Sequence, residues 1–171
     1  MSKKEGFTVV ELIVAMGLFV ILLGIVSGSF INALRTQRRI VALVAANDNA
    51  NISLEQMARE IRTGVSGTFD LVPLSVNTDL QFTNAKGEMI TYRKNDKGIE
   101  REVKAGSGDS VKQTITADNV NITSLKFVLC DPNDCGKKAR VTIALGVSPN
   151  DPDPALAGTI LHMQTTISAR F

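Results

Sequence analysis

Residues 12–34 read LIVAMGLFVILLGIVSGSFINAL, and these 23 positions from Leu12 to Leu34 carry no charge. Only Ser27, Ser29, Asn32 and the glycines Gly17, Gly24 and Gly28 interrupt the large apolar groups. A helix of this length rises about 34 Å, enough to cross a hydrocarbon core of about 30 Å. Lys3 and Lys4 stand before the run, and Arg35, Arg38 and Arg39 follow it. The pattern predicts a membrane segment and not the core helix of a soluble protein. It is longer than the roughly 7–15 apolar residues of a cleaved secretory signal, although Val26-Ser27-Gly28 would make a poor cleavage site. A plain signal anchor accounts for the length but not for Glu11: an ionisable group within an apolar segment is costly, less so near an end, where the plain reading of Glu11 is interfacial tolerance.

Working outward, the residues around that carboxylate are Lys3-Lys4-Glu5-Gly6-Phe7-Thr8-Val9-Val10-Glu11-Leu12. This stretch resembles the class III signal of type IV pilins and type II secretion pseudopilins. The combination of basic leader, glycine, aromatic, acid and apolar run in one register is specific. The close resemblance covers about residues 1–35, with weaker likeness to about residue 64. It implies a leader cut after Gly6 on the cytoplasmic face, a new N-terminal Phe7 that becomes N-methylated, and Glu11 as the family's hallmark acid. It also implies partners: a prepilin peptidase/N-methyltransferase, other pilins or pseudopilins, an inner-membrane assembly platform, and membrane lipid before assembly. The implied product is a single-pass protein of the cytoplasmic membrane, N-terminus inside and head outside, that enters a filament.

The residue chemistry stands beside that resemblance. A cut after Gly6 leaves a positive amine on Phe7, and Glu11 carries the opposite charge. In one helix the two share a face, about 6 Å apart along the axis. The pair forms either within one chain or with a neighbour's amine, and pairing lowers the cost of both charges in lipid. Glu11 also lies where a helix macrodipole favours an anion. Gly17, Gly24 and Gly28 are spaced seven and four and share a face. That spacing fits close helix approach, and equally the ordinary glycine content of membrane helices. Many pilins carry a proline in this helix, whereas here the first proline is Pro73. By charge alone, three arginines after the span against two lysines before it favour the opposite topology.

Beyond Leu34 the sequence reads as an amphipathic helix and then as strands. Ile40, Val44, Asn47, Asn51, Leu54, Ala58 and Ile61 fall on one helix face, widened by Leu43 and Met57. Asn47-Asp48-Asn49-Ala50-Asn51 places polar groups on that face and marks a weak point, where Ser53 and Gln56 would restart the helix as a capping box. After Gly67 the period becomes two. Strands are predicted over residues 71–76, 80–83, 89–94, 98–103, 112–116, 122–129, 139–147 and 159–169, with turns at 84–87, 95–98 and 106–109. Short links imply a mostly antiparallel sheet. The expected fold class is therefore α+β: a long N-terminal helix packed on an antiparallel β-rich head. Its expected parts are a leader (1–6), a transmembrane assembly helix (7–34), an amphipathic half (35–64) and a globular head (65–171).

Composition limits the chemistry. The chain has 171 residues, a net charge of +2, no Trp, one Tyr (Tyr92), one His (His162) and two Cys (Cys130 and Cys135). The usual zinc ligand sets are missing, and a Ser-His-Asp enzyme would have to rest on His162. Scarce aromatics and near-neutrality argue against a nucleic-acid partner. We expect no catalytic residue, no metal and no cofactor. Cys130 and Cys135 close a tight turn; outside the cytoplasm they would form a disulfide, and otherwise two free thiols. Asp131, Asn133 and Asp134, like Asp151 and Asp153, lack a recognisable calcium-ligand spacing. Asn51-Ile52-Ser53 and Asn121-Ile122-Thr123 match a glycosylation sequon that is frequent by chance.

Three functions follow in order. The first is a structural subunit of a type IV pilus, competence pilus or type II secretion pseudopilus. Residues 54–62, LEQMAREIR, point within that class to a minor subunit similar to J-type pseudopilins or PilW-like minor pilins. The second is a tip adhesin or a DNA- or substrate-capturing module, for which Lys126, Lys137, Lys138 and Arg140 are the only basic candidates. The third, a membrane-anchored enzyme, lacks a convergent polar set.

Overall fold

A computed structural model of the chain describes residues 6–65, 67–74, 77–106, 108–130, 139–151, 153, 156 and 158–169. Helix α1 runs from Val9 to Arg62. Eight strands follow: β1 (Asp70–Leu74), β2 (Asn77–Thr83), β3 (Met89–Asn95), β4 (Gly98–Lys104), β5 (Ser110–Thr114), β6 (Val120–Cys130), β7 (Arg140–Pro149) and β8 (Leu161–Ser168). The chain divides into two compact units, one reaching Val41 and the other beginning at Ala42.

In the first unit every described residue is exposed. This part of α1 is one unbroken apolar helix with a window of mean hydropathy 2.9, none of it buried.

In the second unit the remainder of α1 packs on the sheets. The helix does not break at Asn47–Asn51 and does not restart at Ser53. The polar patch is instead where the helix is tied down. Asn49 Nδ2 donates to Ala45 O and to Asn119 Oδ1, both at 3.0 Å. The Ser53 hydroxyl lies 3.0 Å from Asn49 O and 3.1 Å from Ile115 O, so it bonds backward and across rather than capping a new helix. The buried stripe is Ala46, Ala50, Ser53, Leu54, Met57, Ala58 and Ile61. Only its last part matches the expected face. Ile40 and Val44 are 55% and 52% exposed. The stripe mixes small residues (Ala46, Ala50, Ser53 and Ala58) with large ones (Leu54, Met57 and Ile61), all buried against the head. Full burial of Leu54, Met57 and Ile61 contributes roughly 1.5–3 kcal/mol each.

All eight predicted strands exist, with ends displaced by a few residues. The single expected sheet is, however, two. The order β1-β2-β3-β4-β5 makes an antiparallel meander, and β6-β7-β8 a separate antiparallel sheet. The division arises at the turn after β5. Ile115 N–H still bonds to Ile99 O, then Val120 N–H turns back to Ala117 O, and Ile122 N–H bonds to Lys97 O. β6 thereby crosses the end of the β3–β4 hairpin instead of lying beside β5. The β2–β3 turn is built on Asn84, whose Oδ1 accepts from Lys86 N–H at 2.9 Å and Glu88 N–H at 3.0 Å. Gly87 there has φ 78°, the left-handed region in which a side chain is strained.

One core joins both sheets and the helix. Leu80, Phe82, Ile90, Tyr92 and Ile99 face it from the meander, and Ile122, Leu125, Phe127, Val141, Ile143 and Leu145 from the other sheet. The rings of Phe69 and Phe82 stack with centroids 5.0 Å apart, and Phe82 and Tyr92 at 6.3 Å. At the end of α1, Glu60 accepts a 2.6 Å bond from the Tyr92 hydroxyl and is paired with Arg101. Burial first, then the Glu60 contact, raises the Tyr92 phenol above its ordinary value. The same carboxylate raises Arg101, against the opposing effect of burial.

Candidate functional site

The N-terminal segment is built from its helix cap. A Ser or Thr before a helix offers its oxygen to a donor that the first turn leaves unpaired. Here Glu11 N–H donates to Thr8 Oγ1 at 3.3 Å, and Leu12 N–H to Thr8 O at 3.2 Å. Thr8 is thus the N-cap, and Glu11 lies in the first turn. Thr8-Val9-Val10-Glu11 has the spacing of a capping box, a signal present in the sequence that our reading passed over. It corrects the expectation that Phe7 begins the helix. Gly6 and Phe7 precede the cap, and Phe7 is 88% exposed. Phe7 and Glu11 therefore do not share a helix face as two helical residues would.

Gly17, Gly24 and Gly28 continue along the exposed helix. A Cβ added at any of them meets nothing within 4 Å. Within one chain these glycines make no close approach, so any packing use of them needs a second molecule.

Elsewhere the predicted candidates are dispersed. His162 is exposed on β8 and lines a shallow depression of about 330 Å³ with Ser124, Lys126 and Gln164. Among the described residues no acid is hydrogen-bonded to it. Lys126 and Arg140 are exposed on β6 and β7, while Lys137 and Lys138 lie outside the described residues. Asp151 Oδ1 accepts from Asp153 N–H at 2.8 Å, a local turn. Cys130 closes β6; Cys135, Asp131, Asn133 and Asp134 lie outside the described residues. Among the described residues no group of three His, Cys, Asp or Glu side chains gathers to hold a metal. Asp79, missed in the sequence, is a buried polar residue at 4% exposure, and burial raises its carboxyl, with Arg93 opposing.

Comparison with known proteins falls on the same N-terminal stretch. Residues 1–27 match the prokaryotic N-terminal methylation motif. No curated protein and no solved structure matches the chain. The matched motif belongs to structural, not enzymatic, proteins and implies processing by a peptidase and assembly with other pilins. The methylation motif, with one long apolar N-terminal helix and a head of antiparallel sheets, supports a likeness to type IV pilins and pseudopilins.

Proposed function

We propose that the chain is a minor subunit of a type IV pilus or type II secretion pseudopilus. In this reading residues 1–6 are a leader removed after Gly6, and Phe7 becomes the N-methylated first residue. Residues 7–34 hold the subunit in the cytoplasmic membrane and then pack in the filament core, with residues 35–64 joining them to the head at 65–171. The N-terminus faces the cytoplasm and the head faces outward, where Cys130 and Cys135 form a disulfide. Glu11 meets the Phe7 amine of a neighbouring subunit. Gly17, Gly24 and Gly28 let neighbouring helices approach.

The observation that carries the reading is the register of Gly6 and Phe7 ahead of a helix, and Glu11 in its first turn, where the apolar window of that helix is wholly uncovered. The cap supports it as well. Because α1 starts after Thr8, Phe7 precedes the helix, and the amine that a cut after Gly6 creates would lie ahead of it, within reach of another molecule. A hydrophobic helix with no cover in its own chain requires lipid or other helices. The strand-rich head and the helix end at residues 54–62 support a minor subunit. Intact mass and N-terminal sequencing from cells that contain the matching peptidase test the processing. The expected product begins at methylated Phe7; a chain that keeps Met1–Gly6 there refutes the reading.

A further inference from the structure

A sheet edge is a row of unpaired N–H and C=O groups, and folded chains guard such rows with charge, proline, bulges or short strands. Of the four edge strands described, three are guarded. β1 begins at Asp70 and contains Pro73, and β5 has five residues with Lys112 at its centre. β6 carries Lys126 and a register shift between Ile122 and Ser124. β8 has none of these devices. It contains no proline and no Asp, Glu, Lys or Arg, and its eight residues pair with β7 without a shift.

The direction of its backbone groups follows from one bond. Ala169 N–H donates to Ala139 O, directly opposite in the continued register, so the odd-numbered residues turn their N–H and C=O toward β7. His162, Gln164, Thr166 and Ser168 therefore turn theirs outward. The Thr142 and Thr166 hydroxyls meet at 2.9 Å, which fits the closer side chains of a pair without backbone bonds. Among the described residues no backbone group of β8 bonds to anything but β7. All four outward residues are exposed.

We propose that β8 pairs antiparallel with β8 of a second copy of this chain, with Thr165 opposite Thr165 on the two-fold axis. This register sets His162 opposite Ser168 and Gln164 opposite Thr166, so every outward backbone group finds a partner. The faces match as well: polar residues lie opposite polar residues on one, and Met163 lies opposite Ile167 on the other. An edge without fixed charge meets its own copy without repulsion. β1 or β5 of a second copy is the poorer occupant, since Pro73 lacks a donor and five residues leave part of β8 uncovered. The contact is isologous and joins two three-stranded sheets into one. It goes beyond the filament reading and rests on the head alone.

The test oxidises the full chain in detergent, carrying Thr165→Cys, Met163→Cys or His162→Cys one at a time. Opposite residues in a pair without backbone bonds stand about 4.5 Å apart at Cα, within disulfide reach. In the same register two copies of residue 163 lie about 13 Å apart and two of residue 162 about 20 Å, both beyond it. The expected product is a 165–165 link, identified by peptide mass, at least about ten-fold over the other two. Adding Q164K/T166K sets lysine opposite lysine and should lower the link about five-fold. Mixing that variant with Q164E/T166E should recover it, which a misfolded head could not do. Equal linking at the three positions, as collision or association through α1 alone gives, overturns the proposal. So does no link at 165, the result expected if a different strand covers β8. A link that the lysines leave unchanged, or that the glutamates fail to recover, overturns it too. None of these outcomes depends on whether the chain is cut after Gly6, which is read separately by mass.

Discussion

Arg101 donates twice to Glu60, from Nε at 2.9 Å and from Nη2 at 2.6 Å, and so fastens the last turns of α1 to β4. The two side chains are 18% and 27% exposed, shielded enough for the geometry to matter. Glu60→Ala removes this bond and leaves Arg101 and the Tyr92 hydroxyl without their acceptor. Charged hydrogen bonds contribute about 1.5–3 kcal/mol, and a partner left behind adds cost. We expect a loss of about 2–3 kcal/mol in denaturant unfolding of the full chain in detergent. The exposed pair Arg59–Glu55 is the control, where Glu55→Ala should change stability by less than about 1 kcal/mol.

Gly64 and Gly24 should respond oppositely to alanine. At Gly64 an added Cβ would stand 2.6 Å from Phe69 Cζ and 2.9 Å from Phe82 Cδ2, inside the aromatic stack. Gly64→Ala should cost about 1–3 kcal/mol, by forcing the rings apart. At Gly24 nothing lies within 4 Å, and the alanine should leave head stability unchanged while favouring the helix by up to about 1 kcal/mol. On the proposed function, Gly24→Ala should nevertheless reduce recovery of the subunit in filaments. Unaltered recovery would remove the glycine face from assembly.

Glu11→Leu separates the two roles proposed for the N-terminus. Leader removal should continue, since Gly6 and Phe7 remain, while incorporation into filaments should fail for want of the neighbour's counter-charge. Normal incorporation would exclude Glu11 from assembly. Thr8→Val tests the cap: it removes the acceptor of Glu11 N–H and should cost the first turn about 1 kcal/mol, read by amide exchange at Val10–Leu12. Thr8→Ser should restore it.

Asp79 predicts a pH dependence. Its folded pKa lies above the ordinary 3.8 because burial disfavours the charged form. Between these two values the folded chain holds more protons than the unfolded one, so stability falls as pH rises through that window. Asp79→Asn removes the liability. Its stability relative to the parent chain should increase from pH about 4 upward and level off once Asp79 is ionised. A difference that does not vary with pH would show that burial does not govern the protonation of Asp79.

The deciding element was legible because its signal is dense: 23 uncharged residues and a motif in fixed register allow few alternatives. Strand positions were legible through period-two patterning and turn residues such as Asn84 and Gly87. The first half of the helix face differs because the expected stripe ran through Ile40, Val44, Asn47 and Asn51, while the buried positions there are Ala46 and Ala50, whose small side chains carry little periodic signal. The two-sheet division was hidden because it depends on Ile122 N–H reaching Lys97 O, a long-range bond that local periodicity does not encode. The Thr8 cap, by contrast, was written in four consecutive residues. Glu60, Tyr92 and Arg101 carry no local signal of their meeting, since they join only when the helix docks.

Tyr92 is the chain's sole tyrosine, and no tryptophan accompanies it. Its hydroxyl is engaged by Glu60, a strong acceptor that quenches phenol emission by drawing its proton, at the joint between helix and meander. The protein's natural ultraviolet emission therefore watches one hinge point alone. Brightening of that single phenol marks undocking of the helix end from the head in the purified subunit, with no label attached.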